Sequence, residues 1–446
     1  MSTMSLRSRP AARRGLALIA ILTASGLLAG CSSSGGNAPT STGGTPTGTL
    51  NFIVSSSDAS DAGFKAVNAA FAKKYPKVKV VFDAIPNDSW PATSASRLTA
   101  GNVDLTLAGP KSVPSYVPKS SEGDDARAAD AGVYLDLTKE PFMKNLTPSV
   151  LQTTAYKGKQ YDVPTGVSYY TGVYYNKSIF NKYNLSIPTT WSQFVTLCNT
   201  LKSDGVSPLG IGGKDGWPAG LNMLAAVQGL YPTETDKAAL QKGLYKGTVK
   251  LTAPKPVEVL DRVKTMYDFA QPNFAGVSYQ SIPSGFASGS FAMTADGTWN
   301  EPTLAAAVGN KFQFGYFPIP TSDNAEDNAL LGGKIELTLA IPANAKNKMA
   351  ALAYLNFFTQ PKNYQKFASL SGFASSEPNI PASKFLDSIS QYTKEFTPAW
   401  DWGFVSNPKA GAKAQFPFNY QSITPLGNST PAQAAAESQR DWAAGL

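Results

Sequence analysis

"LNFIV" (50–54) and "VKVVF" (78–82) are two short apolar runs with one helical stretch between them, and this order restricts the fold more than any other feature of the chain. Phe64, Val67, Phe71 and Tyr75 recur at helical spacing between the runs, and Pro76 stops the helix. Strand, helix and strand with short joins imply a parallel pair with a right-handed crossover. A second such unit is expected around "ATSASRLTAG" and "VDLTLA", where Asp104 precedes a short apolar strand and holds its loop. The chain therefore reads as α/β. In open α/β sheets ligands sit beyond the carboxyl ends of strands. That singles out loops 55–58, 83–87 and 108–111, and with them Asp58, Asp83 and Lys111.

Further along, "SYYTGVYYN" is a dense aromatic strand pattern behind Pro164 and Gly166. Thr190 to Gln193 reads T-x-x-Q, a capping box that starts a helix carrying Trp191, Phe194, Val195, Cys198 and Leu201 on one apolar face. Gly205 suits a left-handed exit from that helix. "GIGGKDGWPAG" (210–220) is a glycine-rich loop that displays Trp217. "FASGSFAMTADGTW" (286–299) alternates as a strand, breaks at the turn-forming pair Asp296-Gly297, and places Trp299 just before a helix. "FQFGYFPIP" and "GGKIELTLAIP" read as strands, and the remainder as mostly helical, ending in a helix capped by Thr430.

The N-terminus has a different character. Arg7, Arg9, Arg13 and Arg14 precede an apolar run of signal-peptide length, too short for a membrane span of ~20 residues. The run ends in Leu-Ala-Gly-Cys, which resembles the lipobox of bacterial lipoproteins, so Cys31 is expected to carry a lipid after removal of residues 1–30. Residues 31–48, rich in Ser, Gly, Thr and Pro, form a flexible leash. Losing four arginines lowers the formal charge of +8 to +4, and no long basic run is interleaved with aromatics, so nucleic acid is not an expected partner. Cys198 is left without a partner, and its place on the apolar face makes it a packing residue.

Histidine is absent, which removes Ser-His-Asp and Cys-His devices and the common zinc sets. Aromatics are plentiful, with 23 Phe, 19 Tyr and 7 Trp, and this balance favours binding over catalysis. "SNPK" (406–409) superficially matches S-x-x-K, but Pro408 disfavours a regular helix there, and neither K-T-G nor S-D-N accompanies it.

Five blocks in order carry a family resemblance: "FAKKYPKVKVVF", "TAGNVDLTLA", "GKQYDVPTGVSYYTGVYYNKSIFNKYNLSIPTTWSQF", "FASGSFAMTADGTW" and "GGKIELTLAIPANAKNKMAALAYLNFF". The chain resembles the extracellular solute-binding proteins of ATP-driven importers, in particular the carbohydrate-binding group that includes maltose-binding protein. The resemblance implies a two-lobed clamshell, each lobe a mainly parallel sheet flanked by helices, joined by hinge crossovers. One lobe would hold residues 49–160 and 313–358, the other 161–312 and 359–446.

It further implies a non-enzymatic monomer without cofactor or metal, held by lipid on the extracytoplasmic face of the cell membrane. Such a protein captures a saccharide in the interlobe cleft and passes it to a permease and its ATPase. In the family, the tryptophan at the Trp299 position stacks on a sugar ring, where a flat indole covers the C–H face of a pyranose. Trp217 and, of the Tyr169–Tyr170 pair, Tyr170 are further aromatic candidates, while Trp191 is read as structural. Asp58, Asp83, Lys111, Asp296 and Glu336 are candidates for hydroxyl contacts. Ser168 stands where the maltose binder has an acid, and Ala108 where it has a tryptophan, so the ligand is expected to differ from maltose. Rival readings are a non-sugar solute such as a compatible solute or polyamine, which acids around an aromatic box would favour, and a surface carbohydrate-active enzyme.

Overall fold

The structure, a computed structural model, describes residues 44–446 apart from Asp88 and Gln415, and the backbone alone of Asp58. The basic segment, the apolar run, Cys31 and the leash up to residue 43 lie outside the described residues. No helix among the described residues is long and apolar enough to cross a membrane.

The strands in chain order are β1 (Gly48–Ser55), β2 (Val78–Ile85), β3 (Thr106–Leu107), β4 (Asp162–Val163), β5 (Gly166–Tyr169), β6 (Gly172–Asn176), β7 (Leu209–Gly210), β8 (Met293–Ala295), β9 (Phe314–Pro318), β10 (Gly332–Glu336), β11 (Leu339–Ala340) and β12 (Thr397–Pro398). The expected parallel pair forms over eight residues, from Gly48 opposite Val78 to Ser55 opposite Ile85, with helix Asp58–Lys74 between them. Phe64, Val67 and Phe71 of that helix are fully buried, as their spacing requires. Phe52 bridges to Leu105 in parallel, which brings β3 alongside, and β11 lies antiparallel between β3 and β4. Asp104 holds this junction by accepting from the Asn51 backbone N–H at 2.9 Å, from Asn51 Nδ2 at 3.0 Å and from the Asn347 N–H at 2.8 Å. The core above the sheet is closed from far along the chain. Tyr354 of helix Lys348–Phe358 packs at 5.3 Å from Phe52, and Phe367 of helix Pro361–Ser371 at 4.6 Å from Phe64.

The rest of the sheet structure differs from the mainly parallel arrangement expected. β6 runs antiparallel to both β8 and β9, β7 joins β8 in parallel, and β10 pairs antiparallel with β5 and parallel with β12. The crossover rule constrains consecutive strands joined by one helix. β5 and β6 are two residues apart and enter different sheets, while their partners β9 and β10 arrive from far along the chain, so no single-helix crossover sets these directions. The pairing also departs from the expected allotment of segments. β9 lies beside β6 rather than with the first sheet, and helix Pro361–Ser371 packs along helix Asp58–Lys74.

A second, larger core gathers Trp191, Phe194, Cys198 and Leu201 with helix Trp217–Leu230, helix Pro254–Asp268 and the distant Trp400 and Trp442. Cys198 is fully buried and burial pushes its thiol pKa up, so it is a packing residue as expected. Thr190 caps its helix by accepting from the Gln193 N–H, while the Gln193 side chain reaches back to Thr189 rather than to Thr190. Gly205 has φ +75°, the left-handed exit. The Thr430 capping box is complete in helix Pro431–Ala444. Between residues 374 and 430, however, the chain is mainly irregular, with only short helices such as Lys384–Ser388 and Trp400–Gly403. Pro378, Pro381, Pro398, Pro408, Pro417 and Pro425 interrupt that stretch and remove the backbone donors that a longer helix needs.

Candidate ligand site

β8 ends at Ala295, and the turn that begins with Asp296 explains why a tryptophan stands on a strand-to-helix corner. Asp296 is fully buried, and its carboxylate accepts from the Gly297 N–H at 2.8 Å, from the Tyr279 hydroxyl at 3.1 Å and from Asn300 Nδ2 at 2.6 Å. Burial pushes its pKa up to about 7, and these hydrogen bonds oppose the rise. The Trp299 indole N–H donates to the Tyr279 hydroxyl at 3.2 Å. A Cβ at Gly297 would lie 2.3 Å from the Trp299 ring, so glycine is what lets the indole fold back over the turn.

Trp299 is half-buried and is packed against both of the largest cores at once. Its ring lies 5.4 Å from that of Tyr170 and 6.5 Å from that of Trp217, and Trp217 meets Tyr279 edge-on at 4.5 Å. Trp217 opens a helix behind Gly216 (φ +72°) and is 42% exposed, so its indole offers free aromatic surface. Tyr170 does not: it is 2% exposed, and its hydroxyl donates to Asp401 at 2.7 Å. It backs Trp299 from beneath. Alternation sends Tyr169 to a different cluster, with Tyr174 and Tyr316.

Polar groups converge on the same rings. β5 and β10 set Ser168 directly opposite Lys334. The Ser168 hydroxyl donates to Glu336, and Lys334 Nζ lies 3.3 Å from the same carboxylate. Lys334 Nζ is also 5.3 Å from the centre of the Trp299 ring and 5.7 Å from that of Tyr170, within cation–π reach. Lys111 Nζ stands 3.6 Å over the ring of Trp402 and donates to the Trp402 carbonyl at 2.9 Å. Desolvation lowers the Lys111 pKa to about 8, opposed by Asp401, reinforced by the nearby charge of Lys334 and opposed again by Asp162. These couplings place Lys111, Lys334 and Asp401 in one electrostatic neighbourhood.

Of the residues named from sequence, Trp299, Trp217, Tyr170, Ser168, Glu336, Asp296 and Lys111 thus fall in or around one aromatic cluster. Asp296 lies beneath its surface and acts on it through Tyr279 and Asn300. Asp83 is held elsewhere, by Arg97 at 2.5 Å across β2 and helix Trp90–Thr99. The Asp58 side chain lies outside the described residues. Ala108 is buried, with Ala126 and Tyr134. Two shallow surface hollows, of about 490 Å³ beside Lys362 and Lys366 and about 330 Å³ beside Leu185 and Gln193, share no residue with the cluster. Sequence reasoning missed Tyr279, Lys334, Asp401 and Trp402. Lys334 was accessible to it, since period-two alternation puts it on the same face as Glu336. "AWDW" (399–402) was the only local trace of the other end of the site.

Residues 55–365, more than two thirds of the chain, match the family model of bacterial extracellular solute-binding proteins. The chain belongs to that family. It is a family of binding proteins, not enzymes, so the enzymatic reading is set aside. Among its relatives, this solute-binding protein is 25% identical to the multiple sugar-binding protein of Streptococcus mutans over 317 residues, 70% of this chain and 71% of the relative. The fold is the two-lobed one of solved solute-binding proteins. RafE in complex with raffinose superposes with a TM-score of 0.73 at 23% identity, covering 89% of this chain and 99% of RafE. A chitin oligosaccharide binding protein gives 0.70 at 22% identity, covering 90% and 99%.

Proposed function

We propose that this solute-binding protein captures a saccharide between its two lobes and delivers it to an importer's permease and ATPase. The observation that carries the reading is Trp299, half-buried on the seam of both large cores, with Trp217 and Tyr279 beside it and the ammonium groups of Lys334 and Lys111 close to the aromatic faces. Flat rings cover the C–H faces of a sugar while a few convergent donors and acceptors read its hydroxyls. The sugar-binding relative in Streptococcus mutans and the raffinose-bound neighbour support the same ligand class. No bond is made or broken, and the closed form must bind the ligand better than the open form for closure to follow binding.

The lobes are best divided by their cores. β1 to β4, β11 and the helices at 348–358 and 361–371 build the first, and β6 to β9 with the helices from 191 to 268 and 431 to 444 build the second. The lipobox at Cys31 and the leash behind it support a lipid anchor on the extracytoplasmic face, which leaves the folded body free to reach a permease. A polyamine or other cationic solute is the weaker candidate, because lysines already occupy the aromatic faces that would receive it.

A thermal-shift screen of the purified protein against mono- and oligosaccharides, amino acids and polyamines tests the reading. A sugar at a hundredfold excess over its dissociation constant stabilises by ~2.7 kcal/mol. A shift with a sugar that shrinks clearly in Trp299→Phe, a variant that keeps most of the packing, is the expected result. A shift with cationic solutes alone sinks the saccharide assignment.

A further inference from the structure

We propose that the solute is an acidic saccharide, whose carboxylate or comparable anionic group is seated by Lys111 with Lys334 beside it. The inference rests on the saccharide reading above and narrows it. Its ground is the way charge is distributed around the rings. The carboxylates against the rings are already engaged: Asp401 with the Tyr170 hydroxyl, Glu336 with Ser168 and Lys334, Asp296 with three donors. Asp162, which acts on Lys111 at longer range, is fully buried without a hydrogen-bond partner, and burial pushes it toward the neutral acid, so it does not neutralise the ammonium. Glu336 and Asp296 are also withdrawn from solvent. The Glu336 side chain is 6% exposed where that of its partner Lys334 is 34% exposed, so the cation is the member of the pair turned outward.

Lys111 is the more telling group. Among the described residues no carboxylate lies within ion-pair distance of it. Its three donors have one carbonyl between them, that of Trp402, and an aromatic face. Burial already depresses its affinity for the proton. Lys111 is nevertheless exposed, so a ligand can reach it, and an ammonium there gains more from an anion than from a neutral hydroxyl, since charge-assisted bonds are about twice as strong.

The test is isothermal titration calorimetry of the protein, Lys111→Gln and Lys334→Gln with matched neutral and acidic pairs. These are oligosaccharides of glucose and glucuronate, galactose and galacturonate, and mannose and mannuronate. Melting curves confirm that both variants remain folded. In at least one pair the acidic member is expected to bind about tenfold tighter than its neutral counterpart. That advantage should shrink as ionic strength rises from about 20 to about 300 mM, and Lys111→Gln should cut it by roughly fivefold or more. Binding of neutral members only, or an equal loss for both members in Lys111→Gln, overturns the proposal and leaves the saccharide reading standing. If no member of any pair binds while the thermal-shift screen finds another saccharide, this proposal fails and the saccharide reading stands; if that screen finds no saccharide either, both fail.

Discussion

Around Trp299 the indole N–H reaches Tyr279, the Tyr279 hydroxyl reaches Asp296, and Asp296 accepts two further donors. Around Trp402 a lysine ammonium lies on the ring with a single carbonyl as its hydrogen-bond partner. The first end is fixed before any ligand arrives, because each polar group behind the ring is answered from within the protein. Such a ring loses little freedom on binding, which is where preorganised sites gain affinity. The second end is left incomplete, and an incomplete polar group facing a binding surface acts on selectivity, since it penalises ligands that cannot supply its partner. The proposed site therefore separates grip from discrimination by position.

The largest effect expected from breaking the rigid end is on stability. Asp296 has its pKa raised to about 7, so between pH 4 and 7 the folded chain holds a proton that the unfolded chain has released, and stability falls as pH rises through that window. The loss from this group is on the order of 4 kcal/mol. Denaturant titrations of Asp296→Asn should lack this decline. Glu377 and Lys237, also shifted, are common to both proteins and cancel in the difference. Parallel stability curves for the two proteins would count against the assignment.

Next in size is Trp299→Ala, expected to weaken sugar binding about a hundredfold, ~2.8 kcal/mol. Calorimetry at a temperature where the variant remains folded reads it, and a loss of less than about threefold would remove the ring from the ligand's path. Tyr279→Phe keeps the ring against Trp217 but frees the indole N–H, and about tenfold weaker binding with a melting point within a few degrees of the parent is expected. A larger melting-point drop without loss of affinity would make Tyr279 a packing residue instead. Trp217→Ala, removing an exposed ring at the margin, should cost about threefold. Asp83→Asn, at a surface ion pair outside the cluster, should leave affinity unchanged and alter stability by less than ~1 kcal/mol. Any clear loss of affinity there would extend the site beyond the aromatic cluster.

The turn at the rigid end was legible in the sequence, whereas its partner Tyr279 and the pairing of Lys111 with Trp402 at the open end were not, for a physical reason. Asp296, Gly297 and Trp299 lie within four residues, so turn chemistry and the strand pattern are enough to see that a ring is being aimed. The β1–helix–β2 unit, the Cys198 helix and the Thr430 cap are local in the same way. Lys111 meets Trp402 across 291 positions, and nothing in either neighbourhood announces the other. Loop position picked out Asp83 and Lys111 alike, and the structure separates them by their partners, a surface arginine for one and an indole for the other. The return of β9 to β6 and the irregular course from 374 to 430 were hidden similarly, since pairing partners and proline-broken packing are decided at long range.

The strand β11 has a consequence in time. It lies between β3 and β4, with Ala340 opposite both Thr106 and Asp162, although those two strands are made far earlier. At a synthesis rate of about 5–20 residues per second, the ~230 residues from Thr106 to Ala340 take roughly 12 to 47 s to emerge. Throughout that interval the first sheet has a gap in its middle, and the helices that close its core are still unmade. The first sheet cannot be completed until about three quarters of the chain exists, a condition that suits the export of an unfolded polypeptide in a family of extracellular proteins.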